Sequence, residues 1–465
     1  MLKTIFNLVL ILLLILAFFG HRAYAASEEA ADAAVECPYG SRACKVNKQI
    51  DEVEKTVEDV ADQYKGGKVW RHFDKEGVTS GKHRILEHIA MGPTYVMRAL
   101  TWPMAVFSGF LIRKGVVRDV VDVISNDERT FWVYPKFELG FGSGFGGGVG
   151  IRHTDLFERN YRFRASYLVH VNLDQRGDFS FEKPDAFYIA NRPFGFTFFT
   201  KLLHDKNTDF YGVGIGAQES ARSKYRIDSI DTGFGALYEP LDHFIIAAGL
   251  GFAADYTDTG TQPSVQTVFP MSELSGFGRD IAYLAAGIRL KHDTRDAEGR
   301  PEKGGVRELA FTRFQGLGVN GLDYNQYDLD VAQYLKLWLP RHVLALRTKW
   351  EYRQPTSGGN VPFFRLSRLD VYTPLRGFDF GRFMDRGLYV FNIEYRFPVW
   401  DYLDGEFFFD TGRVFHTLSD ISFKHLKYSG GAGLRLCTKN FFLARIQVAY
   451  GGEGVNFLFK TSQAF

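Results

Sequence analysis

The chain has 465 residues, a formal net charge of +2 and 24% charged residues. That balance argues against nucleic acid or another polyanion as its partner and allows one large domain with a small attachment. Aromatic residues at 16% and 48 glycines, with only three cysteines, fit the girdles and turns of a membrane barrel better than a disulfide scaffold.

Residues 1–25 have the three parts of a secretory signal: Lys3, an apolar run from Ile5 to Phe19, and the small-residue site Ala23-Tyr24-Ala25. The run is shorter than the ~20 residues a spanning helix needs, so cleavage before Ala26 is expected. Residues 26–130 read as a periplasmic helical and linker segment. Within it, Cys37 and Cys44 are either a disulfide of the oxidising periplasm or two free thiols, and both readings stay open.

From Val46 to Tyr64 the apolar positions Val46, Ile50, Val53, Val57, Val60 and Tyr64 alternate steps of four and three. This spacing predicts a helix with one apolar seam. Such a short helix must dock, either on its own barrel or on a periplasmic partner protein. Gly66, Gly67 and the stretch from Gly77 to Gly81 then loosen the chain. The apolar stretch Ile89 to Ile112 carries Arg98 and is interrupted by Pro93 and Pro103. It is therefore expected as short broken helices docked on the barrel or lying at the interface.

Residues 131–465 are expected to be an all-β transmembrane antiparallel barrel. From Phe137 onward the period becomes two: Phe391, Ile393, Tyr395 and Phe397 share one face of a strand, Asn392, Glu394 and Arg396 the other. The pattern recurs in Leu344 to Arg353 and in Tyr161 to Val171, as a strand separating lipid from water requires. At ~20 residues per strand and connection this gives about 16 strands. Gly140, Gly142, Gly144, Gly146, Gly148 and Gly150 fall on alternate positions at the barrel's start. One face there is nearly bare, giving either a weak seam against the last strand or room for something pressed on the inner wall. Phe457, Phe459 and the terminal Phe465 alternate at the other end. Cys437 has no partner visible in the sequence.

Asp293-Thr294-Arg295-Asp296 with Pro301 and Gly304-Gly305 is followed by Leu375-Arg376-Gly377-Phe378, Glu394-Tyr395-Arg396-Phe397-Pro398 and Phe409-Asp410-Thr411-Gly412. With Phe210-Tyr211-Gly212, this ordered set resembles the BamA/TamA superfamily of outer-membrane assembly factors, also called the bacterial surface antigen family. The resemblance covers about Tyr134 to Phe465 and implies a bacterial outer-membrane location. It implies that Leu375 to Phe378 tips a loop folded into the lumen, with Arg376 reaching the inward carboxylates Glu394 and Asp410. A guanidinium has the rigid fork such a bridge needs. The resemblance also implies a lateral gate between the first and last strands, here Gly140 to Gly148 against Phe465.

Most members carry periplasmic POTRA domains, whose strands residues 26–130 lack, so the chain resembles the short branch without them. The function implied is assembly, insertion or translocation of outer-membrane proteins or lipid, with unfolded client proteins, outer-membrane lipid and a periplasmic accessory protein as partners. The alternative is a passive pore or a membrane-anchored scaffold. No Gly-x-Ser-x-Gly elbow, His-Glu-x-x-His pair or P-loop occurs, so no catalytic residue, metal or cofactor is expected.

Overall fold

The computed structural model describes residues 91–102, 124–126 and 130–460, the last stretch without 141–143, 298, 319–320, 357, 374, 401–402 and 438–441. The signal, the helix expected over Val46 to Tyr64, Cys37, Cys44, Gly142 and Phe465 lie outside the described residues.

Sixteen strands close into a barrel. The first eight are β1 (Phe131–Gly140), β2 (Gly144–Leu156), β3 (Tyr161–His170), β4 (Gln175–Ile189), β5 (Arg192–Phe210), β6 (Ser223–Leu241), β7 (Phe244–Thr259) and β8 (Asp280–Asp293). Then β9 (Gly304–Leu317), β10 (Tyr324–Lys336) and β11 (Val343–Pro355) lead into a long excursion, residues 356–386. The excursion carries a small sheet of its own, β12 (Ser367–Leu369) and β13 (Phe383–Asp385). The wall resumes with β14 (Gly387–Pro398), β15 (Leu403–Phe415), β16 (Lys427–Cys437), β17 (Phe442–Tyr450) and β18 (Val455–Lys460). β11 pairs directly with β14 across the excursion, and the barrel closes with Leu139 of β1 opposite Phe459 of β18.

Alternation sets which face is which. On β14, Asn392, Glu394 and Arg396 are buried while Ile393 between them is 44% exposed. On β15, Glu406, Phe408 and Asp410 are buried while Phe407 and Phe409 are exposed. The buried set faces a filled lumen and the exposed apolar set faces lipid. Phe363 and Phe364 of the excursion supply much of the filling. Phe363 meets Phe210 at 5.2 Å and Tyr225 at 4.8 Å between ring centroids, both edge-on. Burying each such side chain contributes about 1.5–3 kcal/mol, which favours the excursion lying inside.

Residues 91–102 form a helix, α1, whose polar positions Thr94, Arg98 and Thr101 are buried at steps of four and three. It docks on the turn between β14 and β15: Arg98 Nε donates to the Val399 carbonyl at 2.7 Å, and Trp400 Nε1 donates to Thr101 Oγ1 at 2.9 Å. The Arg98 guanidinium also lies 5.6 Å from the Trp400 ring centre. Arg98→Ala leaves the buried Val399 carbonyl without this donor, a cost of about 1–3 kcal/mol. Limited chymotrypsin digestion should then release the segment before β1 faster than in the wild type, and an unchanged rate would mean that other contacts hold α1.

Candidate functional site

The site is built from register. Asn392 lies opposite Asp410 and Glu394 opposite Phe408 on the β14–β15 pair, so the two carboxylates sit diagonally on one inward face, within reach of one long side chain. The excursion brings Arg376 to that point. Its Nε and Nη2 donate to the two Asp410 oxygens at 2.9 and 2.6 Å, its Nη1 to Glu394 Oε1 at 2.6 Å, and its backbone N–H to Asp410 Oδ2 at 3.2 Å. The guanidinium lies 3.6 Å above the Phe408 ring centre, an added cation–π attraction. Arg376 is 1% exposed and both carboxylates are 0% exposed. Burial disfavours the charged guanidinium, but Asp410 and then Glu394 outweigh it and hold the group above its ordinary range.

Three further residues complete the network. Asn392 Nδ2 and Ser429 Oγ donate to Asp410 at 2.8 and 3.1 Å. Arg396 donates to Glu394 Oε2 through Nε at 3.0 Å and Nη2 at 2.6 Å. Each buried charge therefore faces an opposite one with several donors, the condition under which a buried ion network holds together. The excursion's own shape comes from Asp370, 1% exposed, whose carboxylate accepts from the backbone N–H groups of Tyr372, Thr373 and Gly381.

Leu375 and Phe378 pack in a cluster with Phe383, Leu388, Val390 and Val414. Gly377 is required by a close approach: a Cβ there would lie 2.4 Å from the Gly451 nitrogen and 2.5 Å from the Tyr450 carbonyl carbon. A second arginine ties the excursion to the opposite wall. Arg365 Nε and Nη2 each donate to Asp255 at 2.8 Å, and Nη2 also donates to Asp231 at 3.1 Å. The loop is thus a strut across the lumen. Arg365 and Asp370 lie in no periodic segment, so nothing in the sequence signalled them.

Phe210 and Tyr211 are both buried, and Gly212 has φ +99°, a conformation that favours glycine. Tyr211 lies under Arg382 of the excursion, 5.1 Å from its guanidinium. The Asp293 to Gly305 stretch bonds to itself: Arg295 grips Asp293 at 2.8 and 2.6 Å, and Asp296 accepts from the Glu302 and Lys303 N–H groups. Arg300 then reaches Asp404 at the base of β15 at 3.0 Å.

The glycine-faced strand requires a correction. Gly140 ends β1 opposite Gly144 of β2, so the run straddles a hairpin and most of the glycines lie on the second strand, one removed from the closure. A Cβ at Gly150 would meet the Tyr134 ring at 2.4 Å, and one at Gly146 the His170 ring at 2.7 Å. The neighbouring strands use that space themselves. Among the described residues no three His, Cys, Asp or Glu side chains converge as a metal-holding group.

Residues 155–465 match the family model of the Omp85 superfamily domain. Among solved structures, BamA from Haemophilus ducreyi lacking POTRA domains 1-3 is similar at 15% identity and a TM-score of 0.51, covering 72% of this chain and 68% of that one. CdiB from Acinetobacter baumannii is similar at 14% identity and a TM-score of 0.44, covering 71% and 57% respectively. The former likeness is one of fold. No curated protein matches the chain.

Proposed function

This chain belongs to the Omp85 superfamily of outer-membrane β-barrels, and from that membership and the lumenal network we propose that it assembles, inserts or translocates outer-membrane proteins or lipid. The observation that carries this reading is the buried fork of Arg376 on Asp410 and Glu394. It fastens a loop beside the closing strands, where a parted edge offers unpaired backbone groups to an incoming client strand. On this reading the rim carrying α1 and the β14–β15 turn is the periplasmic one. The segment 46–64, whose single apolar seam is read from the sequence, recruits an accessory protein there.

The test is the purified full-length protein in liposomes, mixed with a urea-denatured outer-membrane barrel. Folding of that barrel should be faster than in empty liposomes, and an equal rate overturns the proposal in favour of a passive pore or scaffold. A charge network in a lumen needs no chemistry to explain it, and the roles given to Arg376, Glu394 and Asp410 are mechanical.

A further inference from the structure

The inward face of β18 is made by Asn456, Leu458 and Lys460, at alternate positions, and each of the three meets the excursion. Asn456 Nδ2 donates to the Arg376 carbonyl at 3.4 Å, and Lys460 Nζ donates to the Val371 carbonyl at 2.9 Å while lying 4.3 Å from the Tyr372 ring centre. Leu458 is buried in one cluster with Val371, Phe408 and Ala449. The turn that precedes β18 is held as well. Arg382 of the excursion donates from Nε and Nη2 to the two Glu453 oxygens at 2.7 and 2.8 Å, a bidentate pair. The Gly377–Gly451 backbone approach lies beside it.

We infer that the excursion is a clamp on the seam strand: Val371, Tyr372, Arg376 and Arg382 grip β18 along its inward face and at its turn, so that β18 leaves β1 only when the excursion releases it. The bridge from Arg376 to β14 and β15 is then the fixed foot of the clamp, and the Arg382–Glu453 pair is its movable jaw. Arg382 suits that part because it is anchored independently. Its Nη1 donates to the Ala217 carbonyl at 2.9 Å and its guanidinium stacks 4.4 Å from the Phe383 ring centre, so losing Glu453 does not unseat it. Glu453 lies on a short turn, 25% exposed, where it is open to exchange of partners. The inference concerns the barrel alone and goes beyond what the seam passes.

Hydrogen exchange of the full-length protein in lipid nanodiscs tests it, read at the amides of residues 455–460 and of β1. Glu453→Gln should accelerate exchange there by about tenfold or more and leave β5 to β8 within about twofold, as release of one local unit requires. Lys460→Met should act in the same place. Adding Glu453→Gln to Arg382→Met should add nothing, because the pair is already broken. Exchange unchanged at β18 in Glu453→Gln overturns the clamp, and so does a rise spread evenly over the barrel or an equal further rise in the double variant. The folding assay in liposomes on the same variants separates the two readings: a freed β18 without any catalysed folding leaves the clamp standing and removes the assembly function.

Discussion

Arg376→Ala is expected to convert a barrel that resists detergent at elevated temperature on cold gels into one that runs as the unfolded form after mild heating. Asp410 and Glu394 are both fully buried, and removing the guanidinium takes a paired counter-charge from each, on the order of 3–5 kcal/mol. Arg396 still faces Glu394, and Asn392 and Ser429 still donate to Asp410, so the loss falls chiefly on Asp410 and on the loop. Arg376→Lys should recover little of it, because one ammonium cannot fork between two oxygens of one carboxylate and reach a second. A heat-modifiability midpoint for Arg376→Ala equal to wild type would remove the fastening role.

The second large effect is steric. A valine at position 377 would drive its Cβ into backbone on both sides, the Gly451 nitrogen at 2.4 Å and the Tyr450 carbonyl carbon at 2.5 Å. No side chain can turn away there, so either the excursion or the β17–β18 turn must shift. Overpacking of this kind costs about 1–3 kcal/mol. Gly454→Ala is the matched control, since nothing lies within 4 Å of a Cβ at that position. Protease susceptibility of the turn at residues 451–454 should rise in Gly377→Val and stay at the wild-type level in Gly454→Ala. Equal susceptibility in both would mean that the loop does not bear on the turn.

How far such residues were legible depends on periodicity. β14 alternates in plain sight, so Glu394 could be put inward beside Arg396, and the step from Glu406 through Phe408 to Asp410 could be placed on one face. Reading Arg376 as their partner needed the family resemblance, because the excursion has no period of its own. For the same reason Arg365 and Arg382 gave no signal: each meets carboxylates more than 70 residues away in the chain, a meeting made by the folded loop alone. Between β1 and β2 the sequence has neither Asn-Gly nor Asp-Gly to announce a strand end, and the glycine run across that point read as a single first strand. Ser429 of β16 looked like any strand serine, and only its position opposite Asp410 gives it a role.

The proposed function requires the seam between β1 and β18 to part. Cysteines at positions 139 and 459, which face each other across it, can be oxidised to a disulfide in a chain whose Cys37, Cys44 and Cys437 are serine. Folding of a denatured outer-membrane barrel by this variant in liposomes is the decisive measurement. The rate should fall to that of empty liposomes when the bond is formed and return on reduction, and a locked barrel as active as the reduced one would mean that the seam stays shut during function.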